Sequence, residues 1–124
     1  MRAIRAEVAT GRPQCAPIGL HNDFETNDWM WASCEFEQDK WRKRISSDIA
    51  AEIALHNDPV LDRRLADVQR EYAVETSKCR ELAGGTESYE VLRYAECLGS
   101  SSGNLMGDSE GVLWSKTPKD TSQQ

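Results

Sequence analysis

Four cysteines, at positions 15, 34, 79 and 97, carry the clearest chemistry in this chain of 124 residues. Thiols in such numbers can pair as disulfides, hold a metal or act as nucleophiles, and their spacing separates these outcomes. Cys15 and Cys34 lie 19 positions apart, Cys79 and Cys97 lie 18 apart, and about 44 cysteine-free residues stand between the pairs. Neither pair has CxxC or HxxxH spacing, so zinc-finger and dithiol redox chemistry lose ground. Two like-spaced pairs flanking a helix-patterned stretch predict Cys15 bonded to Cys34 and Cys79 bonded to Cys97. The alternative is buried free thiols in a helical cytosolic protein.

Other chemistry is thin. The two histidines, His21 and His56, both fall in expected loops. Cys15, His21, Asp23 and Cys34 can be drawn together as a zinc site, but their spacing has no ligand rhythm. Gly84-Gly85 lacks the following Lys-Ser and the preceding strand of a phosphate loop. The glutamates of segments 35–39 and 71–75 read as solvated helix faces rather than acid/base pairs. No enzymatic activity, cofactor or metal is expected.

The aromatic residues point to binding instead. Trp29, Trp31, Phe36 and Trp41 fall within thirteen residues. Tryptophan is costly to place in a core and frequent as an interface anchor. Trp29 and Trp31 are two positions apart, so on a helix they cannot face the same way. Either one packs on the body and the other under the N-terminal loop, or one belongs to a contact surface for a partner. Trp29, Trp31, Glu35 and Glu37 are the candidate partner-binding residues.

Composition narrows the partner. There are 21 acidic and 15 basic residues, for a net charge of −6 and a pI near 4.9. That balance disfavours direct nucleic-acid binding and favours a basic protein through electrostatic steering. The basic cluster Lys40, Arg42, Lys43 and Arg44 wraps around a helix and reads as a solvated face. No run of 18 apolar residues exists, so no membrane-spanning helix is expected. The first fifteen residues lack the apolar stretch of a signal peptide. A periplasmic or secreted location therefore requires a leader outside this sequence, and a cytoplasmic location is the alternative. Oligomeric state is not legible.

The elements that must position these residues are helical. Residues 1–25 are punctuated by Gly11, Pro13, Pro17 and Gly19 and read as irregular. Thr26, Asn27 and Asp28 offer N-cap chemistry for a helix over 28–55, in which Trp41, Ile45, Ile49 and Ile53 recur every four residues. His56-Asn57-Asp58-Pro59 breaks it, with Asp58 as cap and Pro59 at the first helical position. A second helix over 59–83 carries Leu61, Leu65, Val68, Tyr72, Cys79 and Leu82 on one stripe. Gly84-Gly85 ends it. Thr86 can cap a short third helix, with Glu87 and Glu90 in its first turn and Val91, Tyr94, Ala95 and Leu98 on its apolar side. Gly99 to Gly103 reads as a flexible loop. Residues 104–124 read as mostly polar, with Val112-Leu113-Trp114 able to dock back on the body. Cys97 lies farther from the Gly-Gly turn than Cys79, so the third helix must cross at an angle or start late for the pair to bond. The expectation is an all-α fold of two long helices and one short helix. It divides into an irregular segment 1–25, a helical domain 26–98 and a flexible tail 99–124.

These residues resemble a family. Thr26-Asn-Asp-Trp-Met30 before Cys34, and Glu35-Phe-Glu-Gln-Asp-Lys40 after it, are similar to the LprI-like domain of small bacterial envelope proteins. So are Leu65, Gln69 and Tyr72 leading to Cys79, then Gly84-Gly85-Thr86 and Cys97-Leu98. The resemblance spans 15–98. Glu75-Thr76-Ser77-Lys78 stands where that family carries an Arg-Asp pair. A member of the family inhibits lysozyme, so the resemblance implies a non-catalytic envelope protein that binds a lysozyme-like glycan hydrolase. The alternative function is a small acidic intracellular inhibitor of a nucleic-acid-processing machine, such as an anti-CRISPR protein.

Overall fold

The structure is a computed structural model that describes residues 2–15 and 23–116. All its regular elements among the described residues are helical. They are α1 (Arg2–Thr10), α2 (Phe24–Leu55), α3 (Pro59–Cys79), a 3-10 turn (Arg80–Leu82) and α4 (Ser88–Lys116).

Each boundary has a local cause. Asp23 caps α2, its carboxylate accepting from the Glu25 N–H at 3.0 Å. The cap thus falls before the Thr26-Asn27-Asp28 group expected from sequence. Asp58 caps α3 by accepting from the Val60 N–H at 2.9 Å, and Pro59 fills the first turn where its missing N–H costs nothing. Asn57 before it takes a left-handed φ of 50°, which asparagine tolerates. Gly84, at φ 91°, turns the chain after α3. At the start of α4 the Glu90 carboxylate reaches back to the Glu87 N–H at 3.1 Å, as in a capping box.

The three long helices pack up, down and up. α2 and α4 are parallel: Ser88 bonds to Asp28, the Phe36 and Tyr94 rings meet edge to face at 6.2 Å, and Arg42 donates to the Gly99 carbonyl at 2.9 Å. α3 runs antiparallel to α4. Cys79 pairs with Cys97, Asn104 donates to Glu75 at 3.1 Å, and Arg64 donates to Ser115 at 2.9 Å. α4 packs along both other helices, while α2 and α3 share few contacts. In α2 the inward residues Ala32, Glu35, Asp39, Arg42, Ser46, Ile49 and Ile53 follow alternating steps of three and four, a coiled-coil rhythm. In α4 the same rhythm places Ala95, Ser102 and Ser109 at fully buried positions.

Those residues split the bundle into unlike halves. Ile45, Ile49, Ile53, Leu61, Val112 and Leu113 form the apolar core near the α2–α3 turn, joined by Ile4 of α1. The other half buries Gln38, Asp39, Ser101 and Ser102. Both disulfides lie in that polar half, with Cα–Cα distances of 5.5 Å for Cys15–Cys34 and 5.6 Å for Cys79–Cys97. Covalent links take over where apolar burial is scarce: Cys79–Cys97 ties α3 to α4, and Cys15–Cys34 ties the segment after α1 to α2.

Three expectations are corrected. Residues 2–10 are helical rather than irregular, because Ile4 and Val8, one turn apart, pack on the core. Gly99 to Gly103 is not a loop, and 99–116 is not a tail, because α4 runs unbroken through both. Val112-Leu113-Trp114 packs against the body as the last turns of that helix, and 117–124 lies outside the described residues. Leu82 ends its stripe 39% exposed, past the last turn of α3. Cys97 reaches Cys79 because α3 ends at Cys79 rather than at 83, and the 3-10 turn and the connector through Glu87 carry the chain on before α4 begins at Ser88.

Candidate functional site

One end of the bundle gathers the start of α2, the end of α3 and the start of α4. It follows from the parallel pair α2 and α4. Among the residues exposed there are Phe24 (86%), Trp29 (42%), Trp31 (46%) and Tyr89 (56%). Trp29 and Trp31 are about 200° apart around α2, as helical geometry requires, and both reach solvent. Trp41, the third tryptophan of the cluster, is buried instead, its indole N–H donating to Glu7 at 3.2 Å. Phe36 is half-buried against Tyr94.

The two candidate glutamates part company. Glu37 is exposed and lies 3.6 Å from Lys40, an ion pair too solvated to hold it in place. Glu35 turns inward against α4, its carboxylate beside Gly99. Trp29, Trp31 and Glu37 therefore stand at the surface and Glu35 does not. Phe24 and Tyr89 were missed from sequence, since neither falls in a motif and Tyr89 joins the others only through the parallel helix pair.

Next to this end lies a polar junction. Gln38, 8% exposed, donates to both sulfurs of Cys15–Cys34 at 3.6 Å. Its carbonyl oxygen accepts from Arg12 at 2.8 Å and from Arg42 at 3.1 Å. The segment before Cys15 is thus anchored by a covalent bond and an arginine-glutamine contact. α1 is held further along, where Glu7 pairs with Arg44 and Arg5 stacks over Trp114 at 4.5 Å.

A second polar group joins α2 to α3. Lys43 Nζ lies 2.9 Å from Asp39 Oδ2, and Tyr72 faces the same ammonium. The hydrogen bond with Asp39 raises the Lys43 pKa. Burial raises that of Tyr72, against the opposing effect of the Lys43 charge.

His21 lies outside the described residues, and Cys15 and Cys34 are bonded to each other. Among the described residues no three His, Cys, Asp or Glu side chains are grouped to hold a metal, and no helix is long and apolar enough to cross a membrane. The groove beside Cys15–Cys34, about 460 Å³, is open and lined by Pro13, Met30, Ser33 and Glu37. What the arrangement offers is a rigid, cross-linked frame that presents aromatic rings at one end. No protein family, curated protein or solved structure matches the chain.

Proposed function

We propose that this protein acts by binding another protein, without catalysis, and that the aromatic end of the bundle makes the contact. The observation that supports this most is the exposure of both Trp29 and Trp31 on a disulfide-anchored helix. An indole left in water forgoes about 1.5–3 kcal/mol of burial, which a partner can recover. A rigid frame also spares the ordering cost of binding. The partner is basic, drawn by the net charge of −6. Following the resemblance of residues 15–98, the partner is a lysozyme-like glycan hydrolase, which the protein inhibits. The disulfides fit an oxidising compartment, so the place of action is the periplasm or the outside of the cell.

Calorimetry and activity assays with a panel of lysozymes of different types test this reading. Binding and inhibition are expected from at least one. Trp29→Ala or Trp31→Ala should weaken that binding by more than about 1 kcal/mol at one of the two positions. Association should slow as salt rises, since steering is screened over about 8–10 Å. Absence of heat and of inhibition across the panel moves the assignment to the intracellular inhibitor of a nucleic-acid machine.

A further inference from the structure

The charge of this chain is not spread evenly. From residue 13 to 38, and again from 81 to 92, there are eight Asp or Glu and not one Lys or Arg. The rest of the chain holds 15 basic residues against 13 acidic ones and is slightly positive. The two acidic segments are far apart in sequence. The fold brings residues 23–38 and 81–92 together, because α2 and α4 start at the same level and Ser88 bonds to Asp28 there. The same end presents the exposed rings of Phe24, Trp29, Trp31 and Tyr89. The helix dipole accounts for Glu25 and Glu90 in the first turns of α2 and α4. Lys78 and Arg80 at the end of α3 offset part of that charge and leave this end acidic on balance. The dipole does not account for the exposed rings.

We infer that this end recognises a protein segment bearing Lys and Arg side chains, seating their cationic groups on the aromatic faces within the field of the carboxylates. The inference rests on the protein-binding reading and specifies its chemistry. A guanidinium on an indole face is attracted by the ring quadrupole. The molecule already makes one such contact internally, Arg5 over Trp114. Charge complementarity decides against the other occupants. A second copy paired end to end would set one acidic end against another, and nucleic acid and anionic membrane headgroups are repelled by it.

The test uses the full chain with disulfides intact and isotope-labelled, and follows its indole N–H resonances by NMR. The probe is a capped peptide alternating Gly and Arg, with a Gly and Gln peptide as the neutral counterpart. The Arg peptide should shift the Trp29 and Trp31 signals and leave those of Trp41 and Trp114 in place. Glu25→Gln with Glu87→Gln should weaken that response roughly five-fold or more. Asp62→Asn with Glu71→Gln removes the same charge from α3 and should leave it within about two-fold. Equal weakening by the two pairs would show an effect of net charge alone and overturn the inference. An equal response to the neutral peptide, or none at Trp29 and Trp31, would overturn it too. So would a dimer in sedimentation that the Glu25 and Glu87 changes dissolve, which would give this end to a second copy. Lysozyme binding unaffected by those changes would overturn the charge chemistry and leave the protein-binding reading standing. A specific response to the Arg peptide, with no lysozyme bound, would do the reverse for the lysozyme assignment.

Discussion

Ser88 Oγ donates to Asp28 Oδ2 across 3.2 Å, joining residues 60 positions apart in sequence. That bond marks the level at which α2 and α4 begin together, and it sets the register of everything beyond it. From it upward the pairing passes through Phe36 with Tyr94 and Arg42 with Gly99 before reaching the apolar core. The end that carries exposed rings is therefore the end with least apolar packing, and the two disulfides are placed beside it. Rigidity at this end comes from covalent links and polar contacts rather than from the core.

The two disulfides should open in order. Cys15 is exposed, whereas Cys79 is completely buried. A reductant must reach a sulfur, so a limiting dithiol should open Cys15–Cys34 first. Alkylation followed by peptide mapping should find label on Cys15 and Cys34 while Cys79 and Cys97 stay bonded. Label appearing on all four at one rate would contradict this. Replacing Cys79 and Cys97 together by alanine should cost about 3 kcal/mol, the loop entropy of a link of this size.

The glycines of α4 should respond in opposite directions. Gly99, Gly103, Gly107 and Gly111 are spaced by four, and each step of four advances about 40° past a full turn. The row therefore drifts around the helix. Gly99 is buried facing α2, where a Cβ would meet the Glu35 carboxylate, whereas one on Gly107 or Gly111 would meet nothing within 4 Å. Gly107→Ala and Gly111→Ala should each raise stability by about 0.5–1 kcal/mol, the helix-propensity gain. Gly99→Leu should lower it by about 1–3 kcal/mol by forcing α2 and α4 apart. Denaturant midpoints decide; a gain at Gly99 would mean that the helices are not held close there.

What the sequence made legible was what it wrote in strong residues. The Ile45-to-Ile53 row and the Leu61-to-Cys79 stripe announce α2 and α3, because apolar periodicity is the signal helices leave. The cysteine pairing follows from two like spacings. α4 beyond Leu98 wrote its inward positions in Ser102 and Ser109 and its close approach in Gly99. Those residues carry the composition of a loop, so the helix is visible only once a neighbour is packed on it. α1 leaves just Ile4 and Val8, too few for a period. The site was half legible for the same reason. Trp29 and Trp31 are conspicuous in any reading, but Tyr89 joins them through a helix pair that no local pattern records. Glu35, taken for a surface carboxylate, sits on the α4-facing row of α2. Gln38 had no signal at all, since its role depends on Arg12 and on both sulfurs meeting it.

Alkaline pH should weaken the α2–α3 contact at Lys43 and Tyr72. The Asp39 hydrogen bond raises the Lys43 pKa above its ordinary 10.5. Burial raises that of Tyr72 above its ordinary 10.0. Both groups thus hold their protons more tightly folded than unfolded. The stability they contribute is complete below about pH 10 and is lost as pH climbs through the raised folded values. Chemical denaturation between pH 9 and 11.5 should show the midpoint falling over the upper part of that range. Tyr72→Phe removes the tyrosine's share of the slope, and Lys43→Gln removes the lysine's. Tyr72→Phe should be flatter than the parent over the same range, and the double variant flatter still. Lys43→Gln alone also removes the charge that opposes the Tyr72 shift, so its slope falls by less than the lysine's share. A double variant that kept the parent's full slope would place the alkaline sensitivity elsewhere and show that Lys43 and Tyr72 titrate alike in the folded and unfolded chain.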